Sequence, residues 1–227
     1  MRAAALLCLL LPLTLAKNFS FAGYLPEWRY EGANWHTLSS HLTHLILFSA
    51  EPLPSGELTG LDRFPRAELL AEARAAAAAH GCKLLLCFGG NGRSSGFSAM
   101  SRNKHKRARF VAAVGALLQS TGTDGVDLNW EYPGYAFGSG YMSDAEVNKD
   151  YVGLAAVARE LRAALGSAKA ITLAYYPDGC VPSSPLQALQ AICPAFCSKN
   201  AHSRPHPHTT QQAPGSPPPQ ARPAQDS

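Results

Sequence analysis

Short apolar runs recur along the first three quarters of the chain and predict five β-strands. They lie at residues 19–25, 42–49, 83–88, 125–130 and 171–176. The second run, LTHLILFS, is apolar enough to be buried on both faces, as strands of a parallel sheet are.

Stretches with helical patterning separate these runs, at residues 35–40, 66–80, 104–120 and 143–165. The last three are followed by glycines at 81, 122 and 166, where helices commonly end. Ser143 with Glu146 three residues later has the pattern of a capping box. Strands that alternate with helices pair in parallel through right-handed crossovers, so the sequence predicts an α/β fold.

The fourth predicted strand carries an unusual row of polar residues within DGVDLNWEYPG. Asp127, Asn129 and Glu131 are spaced by two and therefore share one face of the strand, while the apolar residues between them share the other. In a parallel sheet covered by helices, the apolar face meets the helices and the polar face lies inside a barrel. Buried carboxylates are costly unless they are paired or functional, so this row is the candidate site.

Composition and charge narrow the function classes only slightly. The chain of 227 residues has 46% apolar residues and a net charge of +4, which suits one globular domain and does not predict nucleic-acid binding. The basic run RNKHKRAR, residues 102–109, opens an amphipathic helix and is interpreted as its solvated face.

Both ends of the chain differ from its centre. Residues 1–16 read as a secretory signal peptide, which predicts a secreted, extracellular protein, and no later segment could cross a membrane. Residues 17–180 form the predicted domain. Residues 181–227 are rich in Pro, Gln, Ser and His and are predicted to be a disordered tail.

The cysteines and histidines do not predict a metal site. Cys82 and Cys87 are five residues apart in one strand, so they face opposite sides and are predicted to be separate buried thiols. The Cys and His residues between 193 and 208 match no closed zinc pattern. We therefore expect neither a metal ion nor another cofactor.

The polar row closely resembles a known signature. Asp-x-x-Asp-x-Asp-x-Glu marks the fourth strand of the (β/α)8 barrel in glycoside hydrolase family 18, the chitinases and chitinase-like lectins. Asp124, Asp127 and Glu131 match this signature, whereas Asn129 stands where the family has aspartate. Asp124 is also placed to brace the loop before the strand.

Three further features strengthen the resemblance. The family's third-strand signature, Ser-x-Gly-Gly, appears as Cys87-Phe88-Gly89-Gly90, with cysteine in place of serine. Tyr24 in GYLPEW and Phe48 in LILFSAEP resemble the aromatic residues of the family's sugar site. The resemblance therefore implies that Tyr24, Phe48, Gly89 and Gly90 bind substrate.

The resemblance implies hydrolysis of β-1,4-linked N-acetylglucosamine, with chitin or its oligosaccharides as the partner. Glu131 would protonate the glycosidic oxygen, and the substrate's own acetamido oxygen would be the nucleophile. The residue at 129 would hold the acetamido group, and Asp127 would lie behind it. Asn129 carries no charge to stabilise an oxazolinium ion, so we expect impaired turnover. The alternative is a lectin that binds chitin without cleaving it.

The resemblance covers residues 18–177, which is about five strands of the eight in the family barrel. The family's Met-x-Tyr-Asp motif has no counterpart after residue 177, and no tryptophan or tyrosine follows Tyr176. The sequence therefore predicts a partial (β/α)8 barrel with outer helices, truncated after its fifth strand. The missing half of the barrel is a second reason to expect impaired activity.

Overall fold

A parallel β-sheet forms the centre of the part of the chain that the structure describes, which is residues 19–136 and 139–174 of a computed structural model. The strands are β1 (Ala22–Pro26), β2 (His44–Pro52), β3 (Leu58–Thr59), β4 (Lys83–Gly89), β5 (Gly125–Asn129), β6 (Tyr135–Ala136), β7 (Gly140–Tyr141) and β8 (Ala170–Ala174). All five predicted strands are present, with ends that differ by a few residues.

The sheet is ordered β1-β2-β4-β5-β8, and each neighbouring pair along this path is parallel. The short β3 pairs antiparallel with the end of β2, and β6 and β7 form a separate hairpin. Helices connect the successive parallel strands, as the alternation predicts. The described residues thus form part of a (β/α)8 barrel, which confirms the predicted fold class.

The helices are α1 (Trp35–His41), α2 (Ala67–His80), α3 (Phe97–Ser101), α4 (Lys104–Thr121) and α5 (Asp144–Leu165). Three of them end at the glycines that the sequence predicts. The predicted capping box is wrong in one respect. Ser143 occupies the N-cap position of α5, but its side chain makes no capping bond. The Glu146 carboxylate does not complete the box either, because it pairs with Arg102 and Lys149.

The helices cover the outer face of the sheet with one apolar core. The strands contribute alternate side chains that are almost completely buried, including Leu45, Leu47, Leu84, Leu86, Phe88, Val126 and Leu128. Trp130 belongs to this core and stacks on Phe97 of α3, with ring centroids 5.0 Å apart. The alternation along β5 therefore places its apolar residues toward the helices and its polar residues inside, as predicted.

The predicted solvated face of the basic run is only partly correct. Arg102 forms an ion pair with Asp150 at 2.6 Å and another with Glu146, and Arg107 pairs with Glu160 at 2.9 Å. All three acidic partners lie on α5. One basic side chain at the end of α3 and one on α4 therefore tie these two helices to α5, which packs against both.

Two other sequence expectations concern single residues. Cys82 and Cys87 are free and buried, in the outer core and on the inner face respectively, so they are the separate thiols predicted. Asp124 braces the start of the fourth parallel strand, because its carboxylate accepts a hydrogen bond from the Leu84 N–H at 2.9 Å.

The signal peptide and the tail both lie outside the described residues, and they stay predictions. Within residues 19–136 and 139–174, no helix is both long and apolar enough to cross a membrane.

We predict that Leu86→Ala lowers the free energy of unfolding by about 2–5 kcal/mol, because the side chain is fully buried and its removal leaves a cavity. Leu61→Ala is the matched control, since that leucine is 41% exposed and its loss should change stability by less than about 1 kcal/mol. Urea unfolding of both variants measures the difference. Equal urea midpoints for the Leu86→Ala and Leu61→Ala variants would contradict the burial of Leu86 in the core.

Candidate active site

The candidate site lies on the inner face of the sheet, at the carboxyl ends of its strands. Asp127 and Asn129 are on β5, and Glu131 follows two residues after the strand. Because residues spaced by two share a face, the three side chains rise in order from the interior toward the rim. The structure thus brings the three predicted catalytic residues together.

Asp127 is the innermost of the three and is 1% exposed. One carboxylate oxygen accepts hydrogen bonds from the Tyr24 hydroxyl at 2.9 Å and the Cys87 thiol at 3.4 Å. The other accepts one from the Thr172 hydroxyl at 2.5 Å. Cys87 and Thr172 flank Asp127 directly in the sheet register, so both contacts follow from strand pairing.

The contact with Tyr24 shows that the sheet is curled. Three strand spacings separate β1 from β5, which is about 14 Å in a flat sheet. Side chains stand roughly perpendicular to a sheet, so a flat one would keep the two tips that far apart. The 2.9 Å hydrogen bond therefore requires the inner face to be strongly concave, as it is in a barrel.

Burial controls the ionisation of this cluster. Loss of hydration raises the pKa of Asp127, although the three hydrogen bonds to its carboxylate oppose the shift. Burial also raises the pKa of Cys87 well above its ordinary value, and the nearby Asp127 carboxylate adds to this. Cys87 is therefore a protonated hydrogen-bond donor, which argues against a nucleophilic thiol.

Asn129 is buried, with 5% of its surface exposed, and its side chain lines an open cavity. The side-chain oxygen Oδ1 has no hydrogen-bond partner among the residues that the structure describes. An unsatisfied buried acceptor costs about 1–3 kcal/mol, so such atoms usually have a function or a missing partner. A ligand with an N–H group at this position would satisfy the oxygen.

Glu131 lies at the rim of the same cavity and is half-buried. Its backbone N–H donates to the Ser94 hydroxyl oxygen at 3.1 Å. Ser94 in turn lies 2.9 Å from the carbonyl oxygen of Gly90. This serine fixes the turn that carries Glu131, and the sequence does not reveal it because Ser94 lies in a loop without periodic patterning.

The cavity has a volume of about 350 Å³, and aromatic side chains form one of its walls. Tyr24 and Phe48 form part of this wall, with ring centroids 6.2 Å apart in an edge-to-face arrangement. Trp28 also lines the cavity and is 71% exposed. Trp28 lies in GYLPEW with Tyr24, but the resemblance does not assign it to the site.

Gly89 and Gly90 lie beneath this wall and create space for it. Both have left-handed backbone angles, with φ of +100° and +105°. A Cβ atom on Gly89 would stand 2.3 Å from the Asn129 carbonyl oxygen, and one on Gly90 would stand 2.3 Å from the Phe48 ring. The glycine pair therefore allows β4 and its neighbours to approach closely, and neither glycine lines the cavity.

Arg93 supports the aromatic wall from the side. Its guanidinium pairs with Glu27 at 2.5 Å and donates to the Ser49 carbonyl oxygen at 3.1 Å. The same group lies 5.3 Å from the centre of the Phe48 ring, within the range of a cation–π contact. These contacts link the ends of β1 and β2 to the loop after β4.

Among the described residues, no group of three or more His, Cys, Asp or Glu side chains is arranged to hold a metal ion. The Cys and His residues between 193 and 208 lie outside the described residues.

A curled parallel sheet with carboxylates at the carboxyl ends of its strands defines a barrel protein of the (β/α)8 class. Comparison with protein families then identifies the chain. Residues 20–194 match the family described as glycosyl hydrolases family 18, and the chain belongs to this family.

Individual relatives agree with this assignment. A curated endochitinase of Brugia malayi is 41% identical over 54 residues, which cover 23% of this chain and 11% of the endochitinase. The chitinase domain of the spore coat protein CotE from Clostridium difficile superposes with a TM-score of 0.60 at 21% identity, and covers 81% of this chain and 50% of that one.

Two other solved structures have the same fold. A chitinase from Rhizomucor miehei has a TM-score of 0.56 at 24% identity, over 71% of this chain and 50% of that one. A class V chitinase mutant from Nicotiana tobaccum, solved with NAG4, has a TM-score of 0.55 at 19% identity over 77% of this chain. This chain thus spans 50% of the length of each of these three solved proteins.

We predict that Gly90→Ala is more damaging than Gly92→Ala. Both glycines have positive φ, so both variants carry a similar backbone strain of about 1 kcal/mol. Only the first places a methyl group against the Phe48 ring, since nothing lies within 4 Å of the added atom at Gly92. Thermal unfolding should show a melting temperature several degrees lower for Gly90→Ala. Indistinguishable melts would contradict the close packing described.

Proposed function

We propose that this chain is the catalytic domain of a chitinase-type glycosidase that cleaves β-1,4-linked N-acetylglucosamine chains. One observation carries the proposal: the half-buried Glu131 and the buried Asn129 line the same aromatic-walled cavity, and Oδ1 of Asn129 has no hydrogen-bond partner among the described residues. A proton donor and an amide acceptor side by side are the two groups that an N-acetylated sugar needs for cleavage.

The cavity is chemically suited to a sugar ring. Pyranose rings present apolar C–H faces and polar edges, so they pack on aromatic side chains while their substituents form hydrogen bonds. Tyr24, Phe48 and the exposed Trp28 provide the aromatic surface. Asn129 and Glu131 line the same cavity and provide polar groups for the acetamido group and the glycosidic oxygen.

The reaction follows from these positions. The Glu131 carboxylic acid gives its proton to the glycosidic oxygen as the bond from that oxygen to the anomeric carbon breaks. The carbonyl oxygen of the substrate's own acetamido group attacks the same carbon and forms an oxazolinium ion. Water then opens this ion, and the Glu131 carboxylate accepts a proton from the water, which regenerates the acid.

Asn129 has a limited part in this scheme. Its Oδ1 accepts a hydrogen bond from the acetamido N–H and so turns the acetamido carbonyl toward the anomeric carbon. It supplies no negative charge beside the oxazolinium ion, and the nearest carboxylate on the same strand, Asp127, is enclosed by three donors. We therefore propose that turnover is slow compared with a site that has aspartate at this position.

The second candidate is a chitin-binding lectin without turnover, and the amide at Asn129 is the observation that favours it. The aromatic wall and the free acceptor would serve binding equally well in both cases. Retention of a glutamate at 131 favours the enzyme, since a lectin needs no proton donor. Turnover of substrate by the unaltered protein would identify an enzyme, and binding without turnover would identify a lectin.

We expect the full-length protein to release product from a fluorogenic chitooligosaccharide, and Glu131→Gln to lower kcat by about 10²-fold or more. The amide is nearly isosteric but cannot donate the acidic proton, so binding to chitin beads should persist. Glu72→Gln, on the exposed face of α2, is the control and should leave kcat unchanged. Chitin binding without turnover in the unaltered protein would support the lectin and overturn the enzyme.

We also expect Asn129→Asp to raise kcat by about 10²–10³-fold, because it restores a charge next to the oxazolinium ion. Asn148→Asp on the exposed surface of α5 adds the same charge away from the site and should have no effect. Circular dichroism melts confirm that both variants are folded. A folded Asn129→Asp with unchanged turnover would show that the amide is not the limiting feature.

A further inference from the structure

Two histidines face each other outside the cleft, where α1 packs against α2. His36 is the second residue of α1 and His80 is the last residue of α2. The Nδ1 atom of His36 lies 3.4 Å from the Nε2 atom of His80. Their rings are nearly perpendicular, at 79°, and both side chains are exposed to solvent.

Both histidines are attached to well-anchored backbone. Trp35, next to His36, is 4% exposed, and the side chain of Asn34 caps α1 by accepting from the Thr37 N–H at 3.0 Å. On the other helix, Ala76 and Ala77 are buried in the contact with the sheet, one turn before His80. The backbone that carries the two imidazoles is therefore fixed by packing that does not depend on them.

Two imidazole nitrogens at this distance either share one hydrogen bond or converge on a cation. Imidazole nitrogens bind Zn²⁺ at about 2.0–2.1 Å, and two such ligands 3.4 Å apart subtend about 110° at the metal, which is near the tetrahedral angle. With ring centroids 5.6 Å apart, the two nitrogens point almost directly at each other, so both exposed rings turn slightly when they bind the metal. We propose that His36 and His80 bind a divalent transition-metal ion of the class that prefers imidazole, such as Zn²⁺ or Ni²⁺.

Solvent has access to the remaining coordination positions. His36 borders an open cavity of about 560 Å³ that is also lined by Asn34 and Glu72. Water molecules can enter this space and complete the coordination of a metal that has two protein ligands. Such an ion would link α1 to α2 and would stabilise the folded state by binding it in preference to the unfolded chain.

Isothermal titration with NiCl₂ tests the site in the full chain. Every protein in the experiment, including the parent, carries Gln in place of His202, His206 and His208, so that the histidines near the carboxyl terminus do not bind Ni²⁺. Ni²⁺ is used because thiols compete less for it than for Zn²⁺. We expect one Ni²⁺ per chain. His36→Gln or His80→Gln should weaken binding by about tenfold or more, since loss of a ligand costs no less than loss of its outer-shell support.

His105→Gln is the matched control, because His105 is an exposed histidine on a different helix, and its affinity for Ni²⁺ should equal that of the parent. Thermal melts provide a second readout: Ni²⁺ should raise the melting temperature of the parent and of the control, but not of either ligand variant. Equal Ni²⁺ affinity in all four proteins would overturn the site. So would a parent whose melting temperature does not respond to Ni²⁺, since the pair would then be a hydrogen bond only.

Discussion

The buried carboxylate of Asp127 is the group on which the inner face of the sheet depends. A carboxylate removed from water is costly unless donors replace its hydration, and here hydroxyl and thiol groups from β1, β4 and β8 do so. No cation contacts it within residues 19–136 and 139–174. The requirement for donors therefore ties four strands to one point and keeps the sheet concave around the site.

The two faces of the sheet have different roles: the outer face forms the apolar core, and the inner face carries the candidate site. On the outer face, alternate residues of each strand pack against helices in one apolar core. On the inner face, the same alternation holds the polar groups and a small apolar cluster of Ile46, Leu85 and Cys87. Gly89 and Gly90 matter to both faces, because only residues without a Cβ let β4 approach Asn129 and Phe48 so closely. The packing of the strands therefore determines where the residues that line the cavity lie.

Much of this arrangement is predictable from sequence because it rests on periodicity. The two-residue repeat of a strand is enough to predict that Asp127, Asn129 and Glu131 share one face. The positions of the glycines are enough to predict where three helices end. Ser94 and Trp28 cannot be found in this way, since their positions depend on where loops meet in the folded chain. The capping box is not predictable for a similar reason. Its glutamate, Glu146, forms an ion pair with Arg102, which is distant in sequence, and so does not make the local hydrogen bond of the motif.

The buried Oδ1 atom of Asn129 has a consequence for stability. An acceptor that is shielded from water and has no donor among the described residues makes the fold less stable than its packing alone would allow. Occupancy of the cavity by any group with a well-placed N–H would remove that penalty. A single buried atom therefore carries a stability cost, and a substitution that supplied a donor to it from within the protein would stabilise the fold.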